Sequence, residues 1–389
     1  MIRVKFVYHF IILLCFFTKS YAQQISVLTC GKGQEIYSTF GHSAIRVVDT
    51  LTKSDVVYNY GLFDFEDPAF IPKFINGKLD YKVGKESFED FFAQYVYQQR
   101  EVKEQILNLS DSQTKEIIAF LEWNILEANK MYRYDFLYNN CATKIIDLLE
   151  QKTKGISLQY FKANPPSSFR GLIHQNAKQS VPMIDWGMDL GIGLPADKIA
   201  TPREYTFLPE FVYKSIQLSK NEWNQKPLVA YERVLLPVSE DIITENTSSP
   251  LHLAWFIFAL SIYIRFSKRT WIPYLKSFLF LLFGLGGVVL TYEWFFTEHG
   301  ITKMNLNLLW LNPLFVLFAF IHNQKSAFSE TIRKILLACI VLIWPFHIVF
   351  GQHFAKPSIW IMCAIFILLI QPKVVFVNNF DLLSRRNKF

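Results

Sequence analysis

Two side chains in the first half of the chain have the makings of a nucleophile and its base, Cys141 and His42. Asn140-Cys141-Ala142-Thr143 stands where a helix should open, since Ile145, Ile146, Leu148 and Leu149 then recur on one face. At a helix N-terminus the exposed N–H groups and the helix dipole favour thiolate over thiol. His42 follows Gly41 at the head of the strand-like run Ser43-Ala44-Ile45-Arg46-Val47-Val48. From a strand an imidazole can take or return a proton, and a polar residue on the adjacent strand can orient its ring. Asn59 is best placed for that task, because Tyr58 and Tyr60 on either side would point to the opposite face.

Each of these residues also has a plain structural role open to it. Cys30 and Cys141 are the cysteines of the polar half, and an oxidising compartment would permit a disulfide between them. His42 could be a satisfied, half-buried strand histidine. Glu35, Tyr37 and Ser38, just upstream, either serve the site or form a turn, and Arg46 can be an ordinary strand-face residue.

The elements that must hold these residues are a sheet and its helices. Residues 24–29 alternate as a strand that Cys30-Gly31-Lys32-Gly33 breaks; 41–48 and 56–61 form two more, with 49–55 as the turn between them. Ser110-Asp111-Ser112-Gln113 is a capping box ahead of an amphipathic segment over 117–126. This pattern predicts an α+β domain. A histidine strand that precedes the cysteine helix is the order of permuted papain-like (NlpC-like) folds.

Composition separates the 389 residues into two halves. Apolar residues make up 51% and Phe occurs 37 times, an apolar content that asks for lipid contact. The stretch 23–245 is polar and mixed in charge, and reads as an exported domain. Five apolar segments follow, at 251–264, 271–292, 306–321, 335–349 and 359–375, and predict an all-α polytopic membrane domain of about five helices over 250–377. Residues 1–22 have the layout of a signal peptide: Arg3 and Lys5, an apolar core over 10–17, and Ser20-Tyr21-Ala22 as cleavage site. An uncleaved first membrane helix is the alternative, and either way the next domain is exported. Cys15, with no small residue before it, is not a lipidation site.

Arg265, Lys268 and Arg269, then Lys325, Arg333 and Lys334, then Arg385, Arg386 and Lys388 in the tail 378–389 all fall on the cytoplasmic side of this arrangement. The net charge of +7 therefore needs no nucleic acid as partner. The outward loops carry Glu293, Glu298, His299, Lys303, Asn305 and Asn307, then His347, Gln352 and His353. They serve either as interfacial anchors or as a polar mouth for lipid head groups.

Longer blocks carry a resemblance. Leu28-Thr29-Cys30-Gly31, the run from Tyr37-Ser38 through Phe40-Gly41-His42-Ser43-Ala44-Ile45-Arg46-Val47, and Tyr58-Asn59-Tyr60-Gly61 with Phe63-Asp64-Phe65 are among them. Lys73-Phe74, Gly77-Lys78-Leu79-Asp80-Tyr81, Tyr138 with Asn140-Cys141-Ala142-Thr143, and the turn-rich blocks 193–198 and 201–205 follow, and 305–313 matches in the apolar half. Together they resemble the Lnb-type lipoprotein N-acyltransferase family, an exported thiol-enzyme domain joined to a membrane domain. The resemblance implies an inner-membrane enzyme with Cys141 as nucleophile and His42 as base. Its partners would be a membrane phospholipid as acyl donor and lipoproteins as acceptors, with no cofactor and no metal. Asn59 is placed by the strand argument alone. Arg203 and Glu204 are expected to form a structural ion pair. Two other functions fit the same residues: a cysteine peptidase or amidase of the cell envelope, and a scaffold held together by a Cys30–Cys141 disulfide.

Overall fold

Alternation along Gln23–Cys30 (β1) sends Ile25 and Val27 to one face and Leu28 and Cys30 to the other, all buried. The computed structural model describes residues 23–33, 35, 38–64, 66–178, 182–238 and 249–371. The predicted signal peptide 1–22 and tail 378–389, with Tyr37 and Phe65, lie outside the described residues. The chain forms two units. The first contains the described residues up to Met188, 195–238 and the loop Phe296–Ile301; the second contains Asp189–Leu194, 249–295 and 302–371.

The first unit is built on β1 with β2 (His42–Asp49), β3 (Ser54–Leu62), β4 (Asp80–Ser87), β5 (Val102–Leu107) and β6 (Met131–Arg133). Short strands β7 (Ile156–Ser157), β8 (Lys220–Asn221) and β9 (Lys226–Pro227) form a separate sheet, and β10 (Val229–Leu236) returns to the first. The order is β10-β5-β1-β2-β3-β4-β6, antiparallel at every pairing. Its helices are α1 (Phe70–Ile75), α2 (Phe88–Tyr97), α3 (Asp111–Asn124), α4 (Cys141–Gln151), α5 (Phe169–Ala177), α6 (Pro182–Gly191, which runs on into the second unit) and α7 (Pro209–Leu218).

Each face of the main sheet has its own apolar cover. Ile25, Val27, Ile45, Val47, Tyr58 and Tyr60 pack under Ile117 and Leu121 of α3, Ile145, Ile146 and Leu149 of α4, and Val212 and Ile216 of α7. Leu28, Cys30, Ala44 and Val57 pack on the other side under Phe91 and Tyr95 of α2. The α3 cap forms as expected, with Gln113 N–H donating to Ser110 Oγ and Ser110 N–H donating to Gln113 Oε1. The sequence singled out three strands of this sheet; the others pair across long separations that a local pattern does not reveal.

Arg46 is more than a strand-face residue. Its guanidinium donates twice to Asp55, at 2.8 and 2.6 Å, and reaches Glu104 at 3.2 Å while lying over the Phe88 ring at 3.4 Å. Glu104 is 1% exposed and also accepts from Ser26 Oγ and Arg233 Nε, each at 2.5 Å.

The second unit contains α8 (Pro250–Phe266), α9 (Ile272–Phe295), α10 (Leu314–Ile321), α11 (Ala327–Phe350) and α12 (Lys356–Leu369). Of these, α9 and α11, each 24 residues, are long and apolar enough to cross a bilayer, and the other apolar helices are shorter. The predicted segment 306–321 is not one helix. It is a 3-10 turn over Leu306–Leu309, then Asn312-Pro313, then the eight residues of α10, a length of about 12 Å. Nor do its asparagines form an open mouth. Asn305 Nδ2 donates to Leu190 O and Gly191 O at 2.7 and 3.0 Å, and Asn305 Oδ1 accepts from Gln352 Nε2 at 3.2 Å. Asn307 Oδ1 accepts from Trp310 Nε1 at 2.8 Å, and Gln352 Oε1 accepts from Leu306 N–H at 2.8 Å.

Because Glu104 neutralises two arginines from inside the sheet, Glu104→Ala should destabilise the first unit by about 3–5 kcal/mol. A chemical-denaturation midpoint within error of wild type would contradict this.

Candidate active site

Helix α4 starts at Cys141 because its first-turn donors are satisfied there and nowhere earlier. The Asn140 side-chain Oδ1 accepts from Ala142 N–H and Thr143 N–H, both at 2.9 Å, and Thr143 Oγ1 accepts from Asn140 N–H at 2.8 Å. The cap is itself anchored, since Asn140 Nδ2 donates to Phe136 O and Phe207 O, each at 2.8 Å. Cys141 thus occupies the first helical position, half-buried, with the positive end of the helix behind it.

His42 opens β2 directly opposite Cys30 of β1. Gly41 precedes it at φ +80°, and a Cβ there would stand 2.7 Å from Cys30 O, so the turn into the strand requires glycine. His42 Nε2 lies 2.7 Å from Asn59 Oδ1. The amide of Asn59 is held the other way round by Glu86, whose Oε1 accepts from Asn59 Nδ2 at 3.0 Å. A carboxylate can only accept, so Glu86 dictates that Asn59 offers oxygen to the ring. Nε2 then carries the proton, and Nδ1 is left for the hydrogen bond with Cys141.

By strand alternation His42 and Asn59 face the α2 side, whereas α4 covers the opposite side. They meet Cys141 at Gly61, where the β3–β4 register slips between Tyr60 and Leu62. Gly61 has φ +93°, and a Cβ on it would come within 3.6 Å of Cys141 Cβ and 4.0 Å of His42 Cε1. The bulge and the missing side chain let groups from two faces of one sheet share a site.

Burial alone would raise the Cys141 thiol, but the charge and hydrogen bond of His42 outweigh it and hold the thiol below its usual value. The N–H groups of Ser43 and Ala142 help by donating toward the sulfur. For His42, burial favours the neutral ring, and Cys141 and Asn59 reverse this to raise its pKa. Both shifts favour a thiolate beside an imidazolium. Cys30 is different: burial pushes its thiol up to about 12, which leaves it unreactive.

Cys30 and Cys141 are both free, so the disulfide that a scaffold would need is not formed. Ser38 N–H and Oγ both donate to Glu35 O at 2.9 Å, which makes this pair a turn. Arg203 and Glu204 do not pair with each other. Arg203 binds Asp147 and Glu150 on α4, at 2.7 and 2.8 Å, and Glu204 binds Lys198 at 2.7 Å. Sequence reasoning missed Glu86, which no local signal ties to Asn59. It also missed the buried Ser43 Oγ, for which the described residues supply no hydrogen-bond partner.

Iodoacetamide should alkylate Cys141 in the folded protein at a pH well below that needed by an ordinary thiol of pKa about 8.5, while Cys30 stays unlabelled. The rate rises as pH climbs through the depressed pKa. His42→Ala should move that rise upward by about one pH unit or more, and Glu86→Ala should move it by less in the same direction. Peptide-resolved mass spectrometry of the labelled cysteines measures both. An unshifted profile in His42→Ala would remove the ion pair from the account.

Residues 18–175, which contain His42, Asn59, Glu86 and Cys141, match the family model described as the Lnb N-terminal periplasmic domain. Residues 242–376 match the one described as the Lnb transmembrane domain. No curated protein and no solved structure matches the chain. The chain belongs to the Lnb-type family, with a periplasmic N-terminal domain followed by a transmembrane domain.

Proposed function

We propose that this protein is a lipoprotein N-acyltransferase of the inner membrane that works through a Cys141 thioester. The observation that carries the proposal is the half-buried thiol at the head of α4, held as a thiolate by His42, in a chain whose other half is a membrane domain. In the first half-reaction Cys141 Sγ attacks the ester carbonyl of a phospholipid. The ester C–O bond breaks, His42 gives its proton to the leaving alkoxide, and a lysophospholipid departs. In the second, the α-amine of a diacylglyceryl-modified cysteine on a lipoprotein attacks the thioester. His42 takes the amine proton, and the Cys141 thiolate leaves as the amide forms. The tetrahedral oxyanion of each step would be met by the Cys141 N–H and the neighbouring Ser43 N–H.

Asn59 and Glu86 are positioning residues in this scheme, because they fix the tautomer and plane of the His42 ring. The succession of a histidine strand, an asparagine strand and a cysteine helix supports a permuted papain-like arrangement. The clusters Arg265, Lys268, Arg269 and Lys325, Arg333, Lys334 support a multi-pass topology with a cytoplasmic C-terminus. Both proposed substrates are held in the bilayer, which supports a catalytic unit tethered there.

Mass spectrometry of lipoprotein N-termini tests this in cells lacking their own N-acyltransferase. Wild type should yield N-acylated termini and Cys141→Ser none. Termini left unacylated by wild type would turn the assignment toward a peptidase or amidase of cell-wall peptides. In vitro, the rate should fall at low pH as the thiolate is protonated, and again at high pH as His42 loses its proton, a bell whose limbs bracket the two shifted pKa values.

A further inference from the structure

Helix α1 (Phe70–Ile75) has no buried residue, although five of its six side chains are apolar. Ile71, Phe74 and Ile75 are 66%, 53% and 48% exposed. Such a surface is unfavourable in water and rare on soluble proteins. The loop Phe296–Ile301 belongs to the same unit and is fastened to it: Glu298 N–H donates to Asn76 O at 2.8 Å, and His299 Nε2 lies 3.1 Å from Phe74 O. Phe296 adds a further apolar side chain, 66% exposed. In sequence this loop follows directly on α9, so a chain that crosses a bilayer through α9 emerges at these residues.

The same helix begins a row of aromatic rings. Phe74 stacks on Phe70 at 6.1 Å and Phe70 on Phe63 at 5.4 Å; Phe63 meets Tyr81 edge-on at 5.2 Å, and Tyr81 stacks on Tyr134 at 4.2 Å. Tyr134 lies near enough to Cys141 to feel its charge, and Phe63 is two residues beyond Gly61. Phe63, Phe70 and Tyr134 are only half-buried, so the row is open along part of its length.

We infer that α1 rests among the acyl chains of the lipid leaflet and that the row Phe74-Phe70-Phe63-Tyr81-Tyr134 leads the donor acyl chain to Cys141. The inference rests on the acyltransferase assignment for the role of the chain, and on the exposed surface alone for contact with lipid. Hydrocarbon is the occupant because Phe63, Phe70 and Phe74 of the row are apolar and aromatic, and the exposed Ile71, Ile75 and Phe296 extend the apolar surface of the same unit.

Full-length protein in phosphatidylethanolamine–phosphatidylglycerol vesicles tests both parts. With Ile71→Ser and Phe74→Ser combined, lysophospholipid release should fall about tenfold or more. Acylation of Cys141 by water-soluble p-nitrophenyl butyrate should fall much less. Equal losses with both donors would make α1 merely structural, and no loss with either would overturn the inference. A wild type that forms no acyl-Cys141 from any donor would instead defeat the thioester chemistry. Lipid contact has its own readout, since a phospholipid with a diazirine in its acyl chain should crosslink to peptides containing Ile71 and Phe74. Crosslinks found in the vesicles on α9 and α11 but not on α1 would overturn the docking.

Discussion

The position of one backbone turn governs the chemistry available to this protein. Asn140 binds Ala142 N–H and Thr143 N–H with its oxygen and two distant carbonyls, Phe136 O and Phe207 O, with its nitrogen. That side chain is buried, so these bonds have no competition from water, and a cap of this kind is worth about 1 kcal/mol even on an exposed helix. Moving the helix start by one residue would carry the thiol about 100° round the axis and away from His42. The strands and their covers are arranged around that start: Ile145, Ile146 and Leu149 key α4 to the sheet, and Arg203 ties its far end through Asp147 and Glu150.

Much of the site was legible because its signals are local. A capping asparagine beside a cysteine, a histidine behind a glycine, and an asparagine between two tyrosines each report their own backbone conformation. Three strands and the α3 capping box were readable for the same reason. Glu86 was not, because its meeting with Asn59 depends on the β3–β4 register and on the slip at Gly61. The roles of Arg46 and Glu104 were hidden likewise, since the two lie on strands separated in the sheet by β1. In the apolar half, hydropathy located the helices but not the break at Asn312-Pro313, where polar side chains satisfy the freed backbone.

Electrostatics and packing divide the labour between the faces of the sheet. The face under α3, α4 and α7 is apolar and closely packed, which gives α4 a rigid bed. The α2 side takes the groups whose charge matters: His42, Asn59 and Glu86 at one end, and the Arg46–Glu104–Arg233 cluster further along. Cys30, opposite His42, is a filler of the core on the same side, its thiol kept neutral by burial and hydrogen-bonded to Tyr95. Two free thiols in one exported unit can therefore coexist without pairing, since only one of them is easily ionised.

The interleaving of the two units sets an order on biosynthesis. Residues 189–194 fold as part of the membrane unit, whereas Phe296–Ile301, made after α9, fold as part of the periplasmic one. Leu190 O and Gly191 O are among the acceptors that Asn305 and Asn307 use, so the membrane unit in turn draws on chain that was exported long before. Neither unit is finished when its own stretch of sequence leaves the ribosome. The periplasmic unit must wait for α9 to be inserted before its last loop arrives, which couples maturation of that unit to arrival of the chain in the bilayer.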